Sequence, residues 1–133
     1  MPYLLDTSIY SQPLKRQPNQ SVIHRWKGVG DSACHVSVFC ELEVLQGVEL
    51  ASGDRLRDLY RAVLKDRIPI IPFTPAEAAV YARLQGHAVR TGTTRPVIDL
   101  CIAATAIAHS LRLVTLNTRD FAGIEGLVVE SWG

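Results

Sequence analysis

The sequence is poor in the features that build disulfide frameworks, zinc centres and membrane anchors. Its three cysteines, Cys34, Cys40 and Cys101, are odd in number, and none stands in a Cys-x-x-Cys pair. That argues against a disulfide scaffold or a structural zinc site and predicts a reducing, cytoplasmic setting. The four histidines, His24, His35, His87 and His109, show no metal-ligand spacing. No apolar run approaches the ~20 residues of a membrane span. Asp6 falls where a signal peptide would need its apolar stretch, so none is expected. Charge of one sign is also missing. Fourteen Lys and Arg against thirteen Asp and Glu leave a net charge of +1. With no global basic field, any nucleic-acid binding has to rest on a local patch. There is no Gly-x-x-x-x-Gly-Lys-Ser/Thr loop, which excludes a P-loop nucleotide hydrolase. Repeats, low-complexity tracts and linkers are absent.

What the chain has is apolar substance. Of its 133 residues, 47% are hydrophobic and 20% charged, enough for one compact domain over residues 1–133 with a real core. Its pattern alternates strand and helix. Strands are expected at 3–5, 35–38, 68–73, 111–116 and 127–131, the third at a sheet edge because of Pro69 and Pro72. Helices are expected near 8–14, 20–28, 39–50, 54–66, 75–90 and 95–110, with Pro75 opening the fifth and Pro96 suited to the first turn of the last. Strands separated by helices predict an α/β fold, a three-layer α/β/α sandwich around a mainly parallel sheet of about five strands. In such sheets ligands bind beyond the carboxyl ends of the strands.

Acids recur at those ends. "YLLDTS" places Asp6 directly after a buried strand, where a carboxylate is costly unless something positive meets it. Taken alone, Asp6 reads first as a helix N-cap. Residues 97–108 are apolar nearly all round, which predicts a buried helix. Its one acid, Asp99, lies in or near the first turn and reads either as favourable to the helix dipole or as a ligand. In "VTLNTRDF" a strand runs out and Asn117 and Asp120 follow; an Asx turn is the plain alternative. Glu41 and Glu43 are two residues apart, about 200° round a helix, so they cannot face the same way. Gly47 lies one turn beyond Glu43 and would clear space on that face, so the expectation is Glu43 inward and Glu41 solvated.

The stretches "LLDTSIY", "SVFCELEVLQG", "DLCIAATAIAH" and "VTLNTRDFAGIEGLVVESW" together resemble the four acidic motifs of PIN-domain nucleases, most closely the VapC-type toxins of bacterial toxin–antitoxin pairs. The likeness runs from Leu4 to Trp132. It rests on the order and spacing of the motifs and on the Asn117-x-x-Asp120-Phe121 ending. It implies an acidic site of Asp6, Glu43, Asp99 and Asp120, with Thr7 and Asn117 positioning them. It also implies a magnesium- or manganese-dependent endoribonuclease that cuts RNA, such as a tRNA, forms a homodimer and is silenced by a cognate antitoxin. One departure is the lead-in to the third acid, "TGTTRPVID", where many relatives are glycine-rich. A carboxylate-only donor set suits those hard cations.

RNA approaching four acids needs basic groups at the rim. Candidates are Lys15, Arg16, Arg25, Lys27, Arg95 and Arg119; Arg57, Arg61 and Lys65 form a separate helix face, expected to meet solvent or a partner. Two other readings stand beside the nuclease: a non-catalytic PIN-like module that binds RNA or protein, and a phosphoryl-transfer protein of similar topology. An aspartate-nucleophile phosphatase needs a second Asp at position 8, which is Ser8. A receiver domain usually has a lysine after its late strand, and residues 111–121 contain none.

Overall fold

The computed structural model describes residues 1–133. Five strands form one wholly parallel sheet: β1 Tyr3–Leu5, β2 Cys34–Ser37, β3 Ile70–Ile71, β4 Arg112–Val114 and β5 Val129–Glu130, in the order β3-β2-β1-β4-β5. Around it lie α1 Thr7–Tyr10, α2 Gln20–Val29, α3 Val38–Leu50, α4 Arg55–Val63, α5 Pro75–Thr91 and α6 Val97–Ala108. This is the α/β architecture the alternating pattern predicts. No helix is long and apolar enough to cross a membrane.

Strand β1 is the centre of the sheet. Tyr3, Leu4 and Leu5 pair with Cys34, His35 and Val36 on one side and with Arg112, Leu113 and Val114 on the other. Leu4 and Leu5 are fully buried, as expected of an apolar strand covered on both faces. From β1 the chain builds outward to β2 and β3, then returns across the sheet to β4. That reversal beside β1 is the kind of switch point at which open α/β sheets form a crevice.

Several elements are shorter than expected: the strands expected at 111–116 and 127–131 are Arg112–Val114 and Val129–Glu130, and the helix expected at 54–66 ends at Val63. The predicted strand 68–73 pairs only at Ile70 and Ile71, because Pro69 and Pro72 have no N–H to donate to a ladder. It does lie at the edge. The predicted helix 8–14 divides into α1 and a 3₁₀ turn at Gln12–Leu14 with Pro13 in its first turn. The three cysteines are free and buried.

Helix α5 begins with a reciprocal cap. The Thr74 hydroxyl accepts from the Ala76 N–H, while the Glu77 carboxylate accepts from the Thr74 N–H at 3.0 Å and from the Thr74 hydroxyl. This is the capping box that satisfies orphan donors of the first turn. The helix ends at Gly92, whose φ of 69° is the left-handed conformation glycine adopts without strain. Glu77 is only 2% exposed and also meets His109 Nε2 at 2.7 Å, which ties the start of α5 to the end of α6. The hydrogen bonds from Thr74, and then from His109, hold its carboxyl down at about 2 despite burial. A carboxyl whose folded value lies below its unfolded one stabilises above the unfolded value, near 4.3, and loses that stability as pH falls towards about 2. Glu77→Ala should therefore cost about 1–2 kcal/mol at pH 7. Urea denaturation from pH 7 to pH 3 should show the difference between the two proteins narrowing below pH 4.

Candidate active site

Asp6 opens α1 at the cap position but makes no cap hydrogen bond. Its backbone N–H continues the β1–β4 ladder to the Val114 carbonyl at 2.9 Å, which pins the residue at the carboxyl end of the central strand. Its side chain turns to hydroxyls instead. Oδ2 accepts from Thr115 Oγ1 at 2.8 Å and from Ser8 Oγ at 3.1 Å. These two donors are held in turn by the chain leaving β4. The Asn117 N–H donates to Thr115 Oγ1 at 3.0 Å, and the Leu116 N–H donates to Ser8 Oγ at 3.0 Å. Asp6 Oδ1 has no hydrogen-bond partner in the protein. The orientation of Asp6 is thus set by two residues that sequence reasoning missed, Ser8 and Thr115. The available signal was the hydroxyl residue that stands two places after Asp6 and another directly after β4.

Glu43, on α3, is half-buried and accepts from Thr7 Oγ1 at 2.6 Å through Oε1. Thr7 therefore sits where the family resemblance puts a positioning residue. Oε2 is left without a protein partner. Asp99, the third residue of α6, is half-buried, and Asp120, in the 3₁₀ turn Thr118–Phe121 after β4, is exposed. Neither carboxylate accepts a hydrogen bond from the protein. Asn117 heads that turn: its carbonyl accepts from the Asp120 N–H at 3.0 Å, so its contribution runs through the backbone.

Asp99 feels the charges of the other three acids. Burial raises the pKa of Asp99 above its ordinary value, and the charges of Asp120, Asp6 and Glu43 push it further in the same direction, while Arg95 opposes them. This is the expected response of a carboxyl forced among like charges. No three acidic, histidine or cysteine side chains approach closely enough to hold a metal ion as they stand. The donor set nonetheless suits a hard divalent cation. It is all carboxylate, each acid keeps an oxygen free, and only Arg95 places a positive charge near Asp99.

Glu41 corrects the expectation that it is solvated. It is 6% exposed, and its carboxylate accepts from Tyr10 Oη at 2.6 Å and from the Tyr60 hydroxyl. Burial, then these bonds to Glu41, raise both tyrosine pKa values. Helix α3 is apolar around most of its circumference, so no stripe set its phase. Gly47 is exposed with open space beside it, and its position carried no information about which glutamate turns inward. Both do, on different sides of the helix.

Among the basic candidates, Arg95 is committed to the loop that carries Asp120. It donates to the Asp120 carbonyl at 2.7 Å and to the Ala122 carbonyl. Arg119 is exposed beside Asp120; Lys15 and Arg16 are exposed on the loop after the first 3₁₀ turn. Arg25 pairs with Glu130 at 3.2 Å.

Comparison with known proteins gives the family of the chain and of its fold. The model of the PIN domain matches residues 3–127. The chain belongs to the PIN-domain family. It is 31% identical to the protein named Toxin FitB from Neisseria gonorrhoeae over 135 residues, covering 97% of each chain. It is 29% identical to the tRNA(fMet)-specific endonuclease VapC of Shigella flexneri, covering 98% of this chain and 97% of that one. Its fold matches the crystal structure of VapBC2 from Rickettsia felis bound to a DNA fragment from their promoter, with a TM-score of 0.88 at 26% identity over 100% of both chains. PIN-domain ribonucleases generally depend on divalent metal.

Two outcomes follow for this PIN domain. Asp99→Asn should raise the melting temperature in EDTA by a few degrees, because the ionised carboxyl is the costly form. The penalty fades as pH falls through the raised value of Asp99, so the difference should shrink on acidification when melts are compared at pH 8 and pH 5. Glu41→Ala should lower stability by about 2 kcal/mol, since it strands two phenol hydroxyls. Glu43→Gln keeps an oxygen for Thr7 and should change stability by under about 0.5 kcal/mol. Guanidinium titrations of both variants check this contrast.

Proposed function

We propose that this chain, acting as a single PIN-like domain, is a magnesium- or manganese-dependent endoribonuclease. In this reading it is the toxin of a type II toxin–antitoxin pair, works in the cytoplasm as a homodimer and is silenced by a cognate antitoxin. Its substrate would be a structured RNA such as a tRNA. The observation that carries the reading is the gathering of Asp6, Glu43, Asp99 and Asp120 about one end of the sheet, felt as mutual repulsion at Asp99, in a chain with the PIN pattern along its length. The relative from Shigella flexneri, named for tRNA cleavage, supports the substrate class. The VapBC2 complex supports an antitoxin partner.

In this reading Asp6 and Asp99 are the primary metal ligands, with Glu43 and Asp120 completing the site directly or through water. A bound divalent ion would supply phosphate-charge neutralisation and a water of lowered pKa. The residues prepare the site for it. Ser8 and Thr115 hold one oxygen of Asp6 and leave the other without a protein partner. Thr7 does the same for Glu43. Arg95 clamps the Asp120 loop and places a positive charge near Asp99. With all four acids present, the alternative of a non-catalytic binding module has no feature in its favour.

Purified protein should cleave RNA with millimolar magnesium or manganese and be inert in EDTA. Asp6→Asn, Glu43→Gln and Asp99→Asn should each reduce the rate at least about 100-fold while the protein stays folded by circular dichroism, consistent with the loss of a charged group at the reacting centre. Expression of the wild type alone should stop growth, and Asp6→Asn should not. Undiminished cleavage by Asp6→Asn or Asp99→Asn would remove the metal-site assignment.

A further inference from the structure

A groove of about 590 Å³ lies beside the acids, between the C-terminal half of α5 and the loop after the Asp120 turn. Its α5 wall carries Arg83, His87 and Arg90. Their spacing of four and three residues puts all three on one helix face. All are exposed, and none makes a salt bridge or side-chain hydrogen bond within the protein. The facing wall, Ala122 to Glu125, offers one acid, Glu125. Three uncompensated basic side chains thus line one side of a concave surface in a chain whose net charge is only +1.

Gly86 belongs to the same arrangement. A glycine inside a long helix costs about 1 kcal/mol relative to alanine. Here the Arg90 guanidinium folds back over it: a Cβ on Gly86 would sit 3.2 Å from Arg90 Nη1. The bare backbone leaves room for that arginine to lie along the groove. Arg95 and Leu100 also line the groove, and each joins it to the acids. Arg95 holds the Asp120 loop, and Leu100 is the residue after Asp99. Arg95, which lines the groove and whose charge acts on Asp99, therefore places the groove next to the acidic cluster.

We propose that this groove seats the sugar–phosphate backbone of the RNA next to the bond that is cut, with Arg83 and Arg90 as its principal phosphate contacts and His87 between them. The inference deepens the nuclease reading and rests on it. Its logic is charge complementarity. Four acids repel a polyanion, and the two neighbouring unpaired arginines supply the local attraction that the nearly neutral chain lacks overall. The occupant competing on charge is an acidic peptide of a protein partner.

The test measures binding apart from cleavage. Fluorescein-labelled bulk transfer RNA is titrated with Asp99→Asn protein, followed by anisotropy at several salt concentrations. Adding Arg83→Glu with Arg90→Glu should weaken binding at least tenfold and reduce the slope of log affinity against log salt by about one to two. Arg61→Glu with Lys65→Glu, in the last turn of α4 and in the turn that follows it, should change affinity less than twofold. Melting temperatures show whether each variant is folded; Arg83→Gln with Arg90→Gln, which keeps helix-forming side chains, should give the same trend in weaker form. The proposal is overturned if the groove variants bind RNA as the parent does, if the parent binds none, or if only affinity for a poly-glutamate peptide falls. Cleavage by the wild type with normal RNA binding by the groove variants would discard the groove and keep the nuclease. Groove-dependent binding without any metal-dependent cleavage would discard the nuclease reading instead.

Discussion

The pairing of β1 between β2 and β4 is the constraint from which the site follows. Three residues, Tyr3 to Leu5, hold both neighbours in register. The ladder runs one step further, from the Asp6 N–H to the Val114 carbonyl. That step places a carboxylate at the sheet's reversal point and brings the end of β4 beside it. Thr115 can then reach Asp6, and the turn carrying Asp120 can begin nearby. A sheet with any other neighbour for β1 would separate residues 6 and 115, which lie 109 positions apart in the chain.

The site is an arrangement of oxygen atoms with little charge compensation. Asp6 is buried, Glu43 and Asp99 half-buried, Asp120 exposed, so the acids run from the wall of the crevice to its mouth. Hydroxyls orient the inner two without neutralising them, because a neutral donor fixes a carboxylate while leaving its charge available. Arg95, whose charge acts on Asp99, spends its hydrogen bonds on backbone carbonyls. Beneath the cluster, burial and the charge of Asp6 push the Cys40 thiol up to about 12, so it remains a neutral, inert packing group. The core of the domain holds the large side chains Trp26, Trp132, Tyr10 and Phe121, all nearly fully buried.

The two glutamates of α3 show how one helix serves two ends. Glu43 faces the crevice with Thr7. Glu41 faces Tyr10 and Tyr60 and joins α1, α3 and α4 through a buried carboxylate with two phenol donors. A buried charge is tolerable when its oxygens are occupied in this way. The same residue type, two positions apart, is thus left open-handed in one case and fully partnered in the other.

The order of strands and helices, the parallel sheet, the edge position of β3 and the recurrence of acids after strand ends were legible in the sequence, because burial periodicity, proline and glycine act locally. The extents of β3 and α1 were less so, since Pro69, Pro72 and Pro13 cut pairing that propensity alone would have extended. The order β3-β2-β1-β4-β5 was not legible, because which strands become neighbours depends on long-range packing. Nor was the burial of Glu41, because a helix apolar around most of its circumference leaves its phase to whatever packs on it. Ser8 and Thr115 became partners of Asp6 only when β1 met β4. The row Arg83, His87 and Arg90 was not singled out in the sequence, and it lines a groove only because the loop after Asp120 folds opposite it.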